Sequence, residues 1–107
     1  MPFRKEKIAE LIRQKAATFL AEESDGTSLI TVTHGEVSSD LENATIYITI
    51  YPDEREEGGL LFAQRQKSAL HDYLKKHTEL NHIPKLSIEL DEGEKRRQRL
   101  DQLSQES

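Results

Sequence analysis

Histidine is the residue type in this sequence best suited to metal binding or acid–base catalysis, because the chain has four histidines and no cysteine. His77 and His82 are five residues apart, whereas two metal ligands on one face of a helix need a spacing of three or four. Pro84 follows two residues later, so a helix is not expected to continue there. All four histidines, including His34 and His71, are therefore interpreted as surface residues, and the sequence predicts no metal or cofactor site.

Two other patterns that can support catalysis are incomplete. Ser38 and Ser39 have no histidine and carboxylate arranged beside them in sequence, and a hairpin turn accounts for them. Gly58 and Gly59 lack the lysine that follows the glycines of a phosphate-binding loop. The sequence therefore predicts a binding protein and not an enzyme.

Basic side chains form the stronger candidate site. They gather at the start of the first predicted helix, at the middle and end of the second, and near the C-terminus. Lysine and arginine bind the phosphates of RNA, and each such contact adds about 0.7–0.9 to the slope of log affinity against log salt. Ordinary solvated helix surfaces are the alternative interpretation. The candidate RNA contacts are Arg4, Lys5, Lys7, Arg65, Lys67, Lys75, Lys76, Arg96, Arg97 and Arg99.

Charge is unevenly distributed along the chain, whose formal net charge is −5. Residues 21–57 contain ten acidic side chains and one basic side chain, while the remainder contains fourteen basic and ten acidic ones. Such an asymmetry can orient a molecule on a polyanion with its acidic part outward. The alternative function is a protein-interaction module that holds a basic protein partner through the strand surfaces or the acidic connection.

Size and composition predict one domain. A chain of 107 residues with 35% hydrophobic content can bury one core between a sheet and a layer of helices. No apolar run approaches the roughly 20 residues that span a bilayer, and the start Met-Pro-Phe-Arg-Lys has no signal-peptide core. We expect a soluble, cytoplasmic monomer with no membrane partner.

The clearest structural pattern is an antiparallel hairpin. Ile30 and Val32 alternate with threonines, and Ile46, Ile48 and Ile50 alternate with Tyr47, Thr49 and Tyr51, as in strands with one buried face. The short polar link between the two runs favours direct antiparallel pairing.

The remaining elements complete an α+β pattern of helix, strand, strand, helix, strand and tail. Apolar spacing predicts a first helix over residues 3–21, a second over 60–80, and a third strand over 85–90 with Leu86, Ile88 and Leu90 inward. Residues 52–59 are expected to be an acidic connector too polar to pack. Residues 1–92 would form the domain and 93–107 a charged C-terminal tail with one short helical turn at 99–103.

Four stretches of this sequence together resemble the ribosome-binding factor A family of bacterial small-subunit maturation factors. They occur in the family's order and span almost the whole chain: Lys7-Ile8-Ala9-Glu10-Leu11-Ile12, the hairpin from Ile30 to Ile50, Ile83-Pro84-Lys85-Leu86, and Asp91-Glu92 followed by Arg99-Leu100-Asp101-Gln102-Leu103. The hairpin, with its V-x-x-D-L-x-x-A link, and the R-L-D-x-L segment are the most specific of the four.

The resemblance implies a type II K-homology-like fold, a three-stranded sheet with helices on one face and the third strand beside the first. It implies binding to the small (30S) ribosomal subunit and its 16S rRNA late in assembly, to assist maturation and rRNA processing, without catalysis. The family bends its second helix at an Ala-x-Gly segment, which aligns with Gln66-Lys67-Ser68. Ser68 replaces the glycine, and Arg97 replaces a second family glycine, so the sequence leaves open whether the helix is bent or broken.

Overall fold

The computed structural model describes residues 5–24 and 26–106, with the side chains of all of these except 102 and 104–106. The predicted helix start at Phe3 and Arg4, the turn residue Asp25 and the terminal Ser107 lie outside the described residues. The described elements are α1 Lys5–Glu23, β1 Leu29–Val37, β2 Asn43–Tyr51, a 3-10 turn Asp53–Arg55, α2 Glu56–Arg65, α3 Lys67–His77, β3 Lys85–Leu90 and α4 Glu92–Glu106.

The predicted hairpin is confirmed. Strands β1 and β2 pair antiparallel from Leu29 opposite Tyr51 to Val37 opposite Ala44, with a register shift between Val32 and His34. The shift is a β-bulge at Thr33, which places one extra residue on β1 and changes which residues face the core beyond it.

The expectation that the third strand lies beside the first is wrong. The strand order is β1-β2-β3, and β3 pairs parallel with β2, from Lys85 opposite Asn43 to Leu90 opposite Ile48. Strand β2 is central because it is the most apolar strand, and Ile46 and Ile48 on it are fully buried. Strand β1 carries the charged residue Glu36 and a bulge, which suits an edge position.

Helix α1 packs over β1, and its apolar stripe forms one side of the core. The helix approaches the strand closely at Gly35, where an added Cβ would lie 3.0 Å from the carbonyl oxygen of Ala9. Helices α2 and α3 cover β2 and β3 on the same side of the sheet. The largest fully buried side chains are Ile12, Leu20, Ile46, Ile48, Leu70, Leu74 and Pro84.

The prediction that residues 52–59 form an unpacked connector is wrong. Helix α2 begins at Glu56, and Gly59 is buried against Ile50, where an added Cβ would lie 2.9 Å from Ile50 Cγ2. The acidic side chains of this segment remain at the surface while the glycine backbone fills the contact with the sheet. A segment with polar side chains can therefore still pack its backbone against the sheet, as this one does at Gly59.

The second predicted helix is broken, although it contains neither the family glycine nor a proline. Helix α2 ends at Arg65 and α3 starts at Lys67, with Gln66 between them at φ −87° and ψ 2°. Helical spacing places residue 66 on the same stripe as the buried Ala63, Leu70 and Leu74. The break therefore falls at the polar position of an otherwise apolar stripe.

The prediction of one short helical turn in the tail is wrong, because α4 is a continuous helix from Glu92 to Glu106. Asp91 begins it by accepting a hydrogen bond from the backbone amide of Glu94 at 3.0 Å. The family segment Asp91-Glu92 is therefore a helix start.

Candidate nucleic-acid interface

A groove between the first turns of α3 and the start of β3 brings together basic side chains from distant parts of the chain. Lys67 is the first residue of α3 and Lys85 is the first residue of β3, and both are exposed. His71 and Asp72 line the same groove and lie 3.6 Å apart between the His71 Nδ1 and Asp72 Oδ1 atoms. The groove is completed by Ser68 and Leu86. Two lysines face one carboxylate here, so the groove is suited to an anion.

The helix break adds to this positive character. Lys67 stands at the N-terminus of an 11-residue helix whose first turn contains no acidic residue. The side chain of Gln66 makes no capping hydrogen bond to that turn. A helix N-terminus carries partial positive charge and favours phosphate groups.

The hairpin link holds the other wall of the groove in place. The backbone amide of Lys85 donates to the carbonyl of Glu42 at 2.9 Å, and Pro84 and Leu86 on either side are buried. The backbone hydrogen bond and the two buried neighbours therefore fix the position from which the exposed Lys85 side chain extends.

The link itself is organised by Ser38 and Asp40. The Ser38 hydroxyl donates to Asp40 Oδ1 at 2.6 Å, and the same oxygen accepts the amide of Glu42 at 3.0 Å. These hydrogen bonds hold the pKa of the Asp40 carboxyl below its ordinary value, with the Ser38 contact as the main cause. The aspartate of the V-x-x-D-L-x-x-A segment therefore closes the turn that supports Lys85.

Lys5 lines a different groove, between α1 and the second half of β1. Glu6, Glu10, Arg13 and Glu36 line it as well, so its acids offset its bases. The Glu10–Arg13 ion pair, 2.7 Å between Oε2 and Nη2, lowers the pKa of Glu10 to about 2 through hydrogen bonding. This groove is less suited to phosphate than the groove at Lys67 and Lys85.

The other predicted contacts on the first three helices do not line the Lys67 groove. Lys7 is exposed on α1, and Arg65 is exposed at the end of α2. Lys75 and Lys76 lie in the last turn of α3, eight and nine residues from Lys67, which is about 12–14 Å along a helix. Arg4 lies outside the described residues.

The basic residues of α4 are close to acids. Lys95 Nζ lies 2.8 Å from Glu56 Oε2, and this hydrogen bond raises the pKa of Lys95. Arg97 forms an ion pair with Glu94. Arg99 lines a groove together with Asp53, Glu54 and Glu56, and Arg96 is exposed. The tail cluster is thus less positive than its sequence indicates.

Sequence reasoning missed Lys85 and His71. Lys85 was part of the Ile83-Pro84-Lys85-Leu86 stretch but was not in a cluster of bases. The sequence did contain a signal. Lys85 starts the predicted strand 85–90, and alternation with the inward Leu86 places its side chain on the outer face of the sheet. His71 had no signal beyond its place one helical turn after Lys67.

The described residues contain no group of three or more histidine, aspartate or glutamate side chains arranged to hold a metal ion. Within the same part of the chain, the helices are too short or too polar to cross a membrane.

Comparison with known proteins gives a consistent result. The family model described as Ribosome-binding factor A matches residues 4–104. Ribosome-binding factor A of Gemmatimonas aurantiaca is 30% identical over 104 residues, which cover 94% of this chain and 71% of the relative.

Solved structures resemble the fold. The crystal structure of ribosome-binding factor A from Thermus thermophilus superposes with a TM-score of 0.72 at 20% identity, covering 81% of this chain and 94% of that one. A homology model of the Thermus thermophilus factor, fitted into a cryo-EM map of its complex with the 30S subunit, gives a TM-score of 0.65 at 21% identity, covering 74% of this chain and 86% of that one. The predicted α+β, K-homology-like fold is confirmed.

Proposed function

Because the chain belongs to the ribosome-binding factor A family, we propose that it binds the small ribosomal subunit and its 16S rRNA and assists late maturation and rRNA processing. It acts by binding in the cytoplasm, without catalysing a reaction. A related factor has been fitted in a complex with the 30S subunit, which supports the choice of partner.

The groove between α3 and β3 is the observation that carries this proposal. Lys67, the first residue of α3, and Lys85, the first residue of β3, line this groove beside the positive N-terminus of α3. RNA phosphates would contact both lysine side chains and the first turn of the helix.

The arrangement of acids supports an orientation. Lys85 pairs with Asn43 at one end of β2, whereas Asp53 and Glu54 follow Tyr51 at the other end. A phosphate surface would repel the second end, which is acidic, whereas at the first end the exposed Asp40 and Glu42 of the link are accompanied by Lys67 and Lys85. We therefore propose that the acidic end points away from the RNA.

The test is co-sedimentation with purified small subunits in sucrose gradients at increasing salt. We expect Lys67→Glu and Lys85→Glu each to weaken binding at least tenfold, because each replaces an attraction to phosphate with a repulsion. Lys67→Gln is expected to lower the salt slope by about 0.7–0.9.

The matched control is Arg55→Glu, which makes the same charge change at the other end of α2. We expect Arg55→Glu to bind as the unmodified protein does. Equal loss for all three reversals would show that net charge alone governs binding, and no co-sedimentation at low salt would refute the proposal.

A further inference from the structure

Two large apolar side chains at the end of the hairpin face solvent next to each other. Leu29 and Tyr51 are directly paired across β1 and β2, and they are 64% and 71% exposed. They border a groove between the end of α1 and the end of the hairpin, whose lining includes Leu20, Ile30 and Pro52. An exposed apolar pair beside an apolar groove is typical of a binding surface.

The surroundings of this groove are acidic. Glu22 and Glu23 at the end of α1 and Asp53 and Glu54 after Pro52 are exposed. Residues 16–54, which supply all of the groove's lining, contain no lysine or arginine. The bases in the neighbouring grooves are Arg55, Arg99 and Lys95, and Lys95 is paired with Glu56 and Glu92.

We propose that this groove binds a basic polypeptide segment that carries apolar side chains between its lysines or arginines. The apolar side chains contact Leu29, Tyr51 and the groove, and the bases lie against the acidic rim. RNA does not fit the site because its phosphates would meet four carboxylates. A second copy of this chain would bring two acidic rims together.

The site is separate from the groove at Lys67 and Lys85. Strand β2 runs from Asn43, beside Lys85, to Tyr51, and eight residue steps along a strand span about 26 Å. A basic segment and RNA can therefore occupy the protein at the same time. This inference goes beyond the proposed function and does not depend on it.

The experiment uses the full chain labelled with ¹⁵N and an eight-residue synthetic peptide of alternating lysine and leucine, followed by NMR. We expect amide shifts to change at residues 21–30 and at Tyr51, and to change little at Lys67 and Lys85. Two further peptides, one with glutamate in place of lysine and one with serine in place of leucine, are expected to bind at least tenfold more weakly.

Substitutions can show whether the peptide binds at this groove or at other exposed apolar side chains. Tyr51→Ser and the pair Glu22→Gln/Glu23→Gln should each weaken peptide binding about threefold to tenfold, with folding checked by the hairpin amide shifts. Leu61→Ser, which alters an exposed leucine on α2, should leave binding unchanged.

Three results would overturn the inference. They are peptide shifts centred away from the groove, binding of a single-stranded RNA oligonucleotide at Leu29 and Tyr51, and concentration-dependent dimerisation that Tyr51→Ser abolishes. If the unmodified protein binds the small subunit but not the lysine–leucine peptide, the inference about this groove fails and the proposed function stands.

Discussion

The hydroxyl of Thr33 donates a hydrogen bond of 2.5 Å to Asp91 Oδ2, joining residues 58 positions apart in the chain. Thr33 occupies the bulge of β1, and Asp91 caps α4 through its other oxygen, which accepts the Glu94 amide. One carboxylate therefore starts the last helix and attaches that start to the sheet. Because Thr33 is the extra residue of the bulge, its hydroxyl lies within hydrogen-bond distance of Asp91.

Replacing Asp91 with alanine is expected to destabilise the start of α4. The variant loses an N-cap, which costs about 0.5–2 kcal/mol, together with the contact to Thr33. Hydrogen exchange of the amides from Glu94 to Gln98 is the measurement, and it should become faster by a factor of about 3–30. Thr33→Val, which keeps the cap, should give a smaller change. Equal protection in all three proteins would contradict the assigned roles.

The same carboxylate should make stability depend on pH. The hydrogen bonds from Thr33 and then from the Glu94 amide lower the pKa of Asp91 in the folded protein below its ordinary 3.8. A lowered folded pKa contributes stability above the unfolded value, and this contribution is lost as the pH falls through the folded value. The difference in unfolding free energy between the protein and Asp91→Asn should be largest at neutral pH and shrink below about pH 4. Urea titrations at pH 7, 5 and 3 measure it, and a difference that grows on acidification would contradict the assignment.

Two adjacent glycines in α2 should respond in opposite directions to the same substitution. Gly59→Ala places a Cβ 2.9 Å from Ile50 Cγ2, and such overpacking costs about 1–3 kcal/mol. Gly58→Ala meets nothing within 4 Å, and it should stabilise the helix by up to about 1 kcal/mol. Thermal or urea unfolding of both variants provides the comparison. Similar effects from the two would show that Gly59 is not tightly packed.

Truncating a buried side chain on the central strand β2 should strongly lower the free energy of unfolding. Ile48 is 0% exposed on β2, between both neighbouring strands, and Ile48→Ala should cost about 2–5 kcal/mol. Leu29→Ala on β1 removes an exposed side chain and should change stability by less than about 0.5 kcal/mol. Urea unfolding measures both. A mild effect of Ile48→Ala would indicate that the core rearranges to fill the space.

Local pattern was sufficient to predict the hairpin, the first helix and the third strand. Alternation of Ile46, Ile48 and Ile50 identifies a buried face without knowledge of the partner strand. The position of β3 was not predictable in this way, because pairing depends on which strand is the most apolar on both sides. The packing of Gly59 also gave no signal, since a glycine has no side chain to show a periodicity.

The candidate site was predicted in part. Lys67 was chosen from its charge, and the structure places it in the groove with Lys85, which sequence clustering did not select because Lys85 has no basic neighbour. Arg97 and Arg99 belonged to the densest basic run, yet they lie close to Glu94 and to Asp53. The Arg97–Glu94 pair has a local i,i+3 spacing on one helix, whereas the grouping of Arg99 with Asp53 in one groove depends on tertiary structure that the order of residues does not reveal.

The parallel pairing of β3 has a consequence for how the protein folds. Val37 meets Ala44 across a short link, whereas Asn43 meets Lys85 only after more than forty intervening residues. Hairpins close in microseconds, and closing a longer loop costs additional entropy. We therefore expect Lys85 to join Lys67 late in folding, and β3 to detach before the hairpin when the native state opens. The surface that would meet RNA is then the part of the molecule completed last, so a newly made chain gains it only once the rest of the sheet exists.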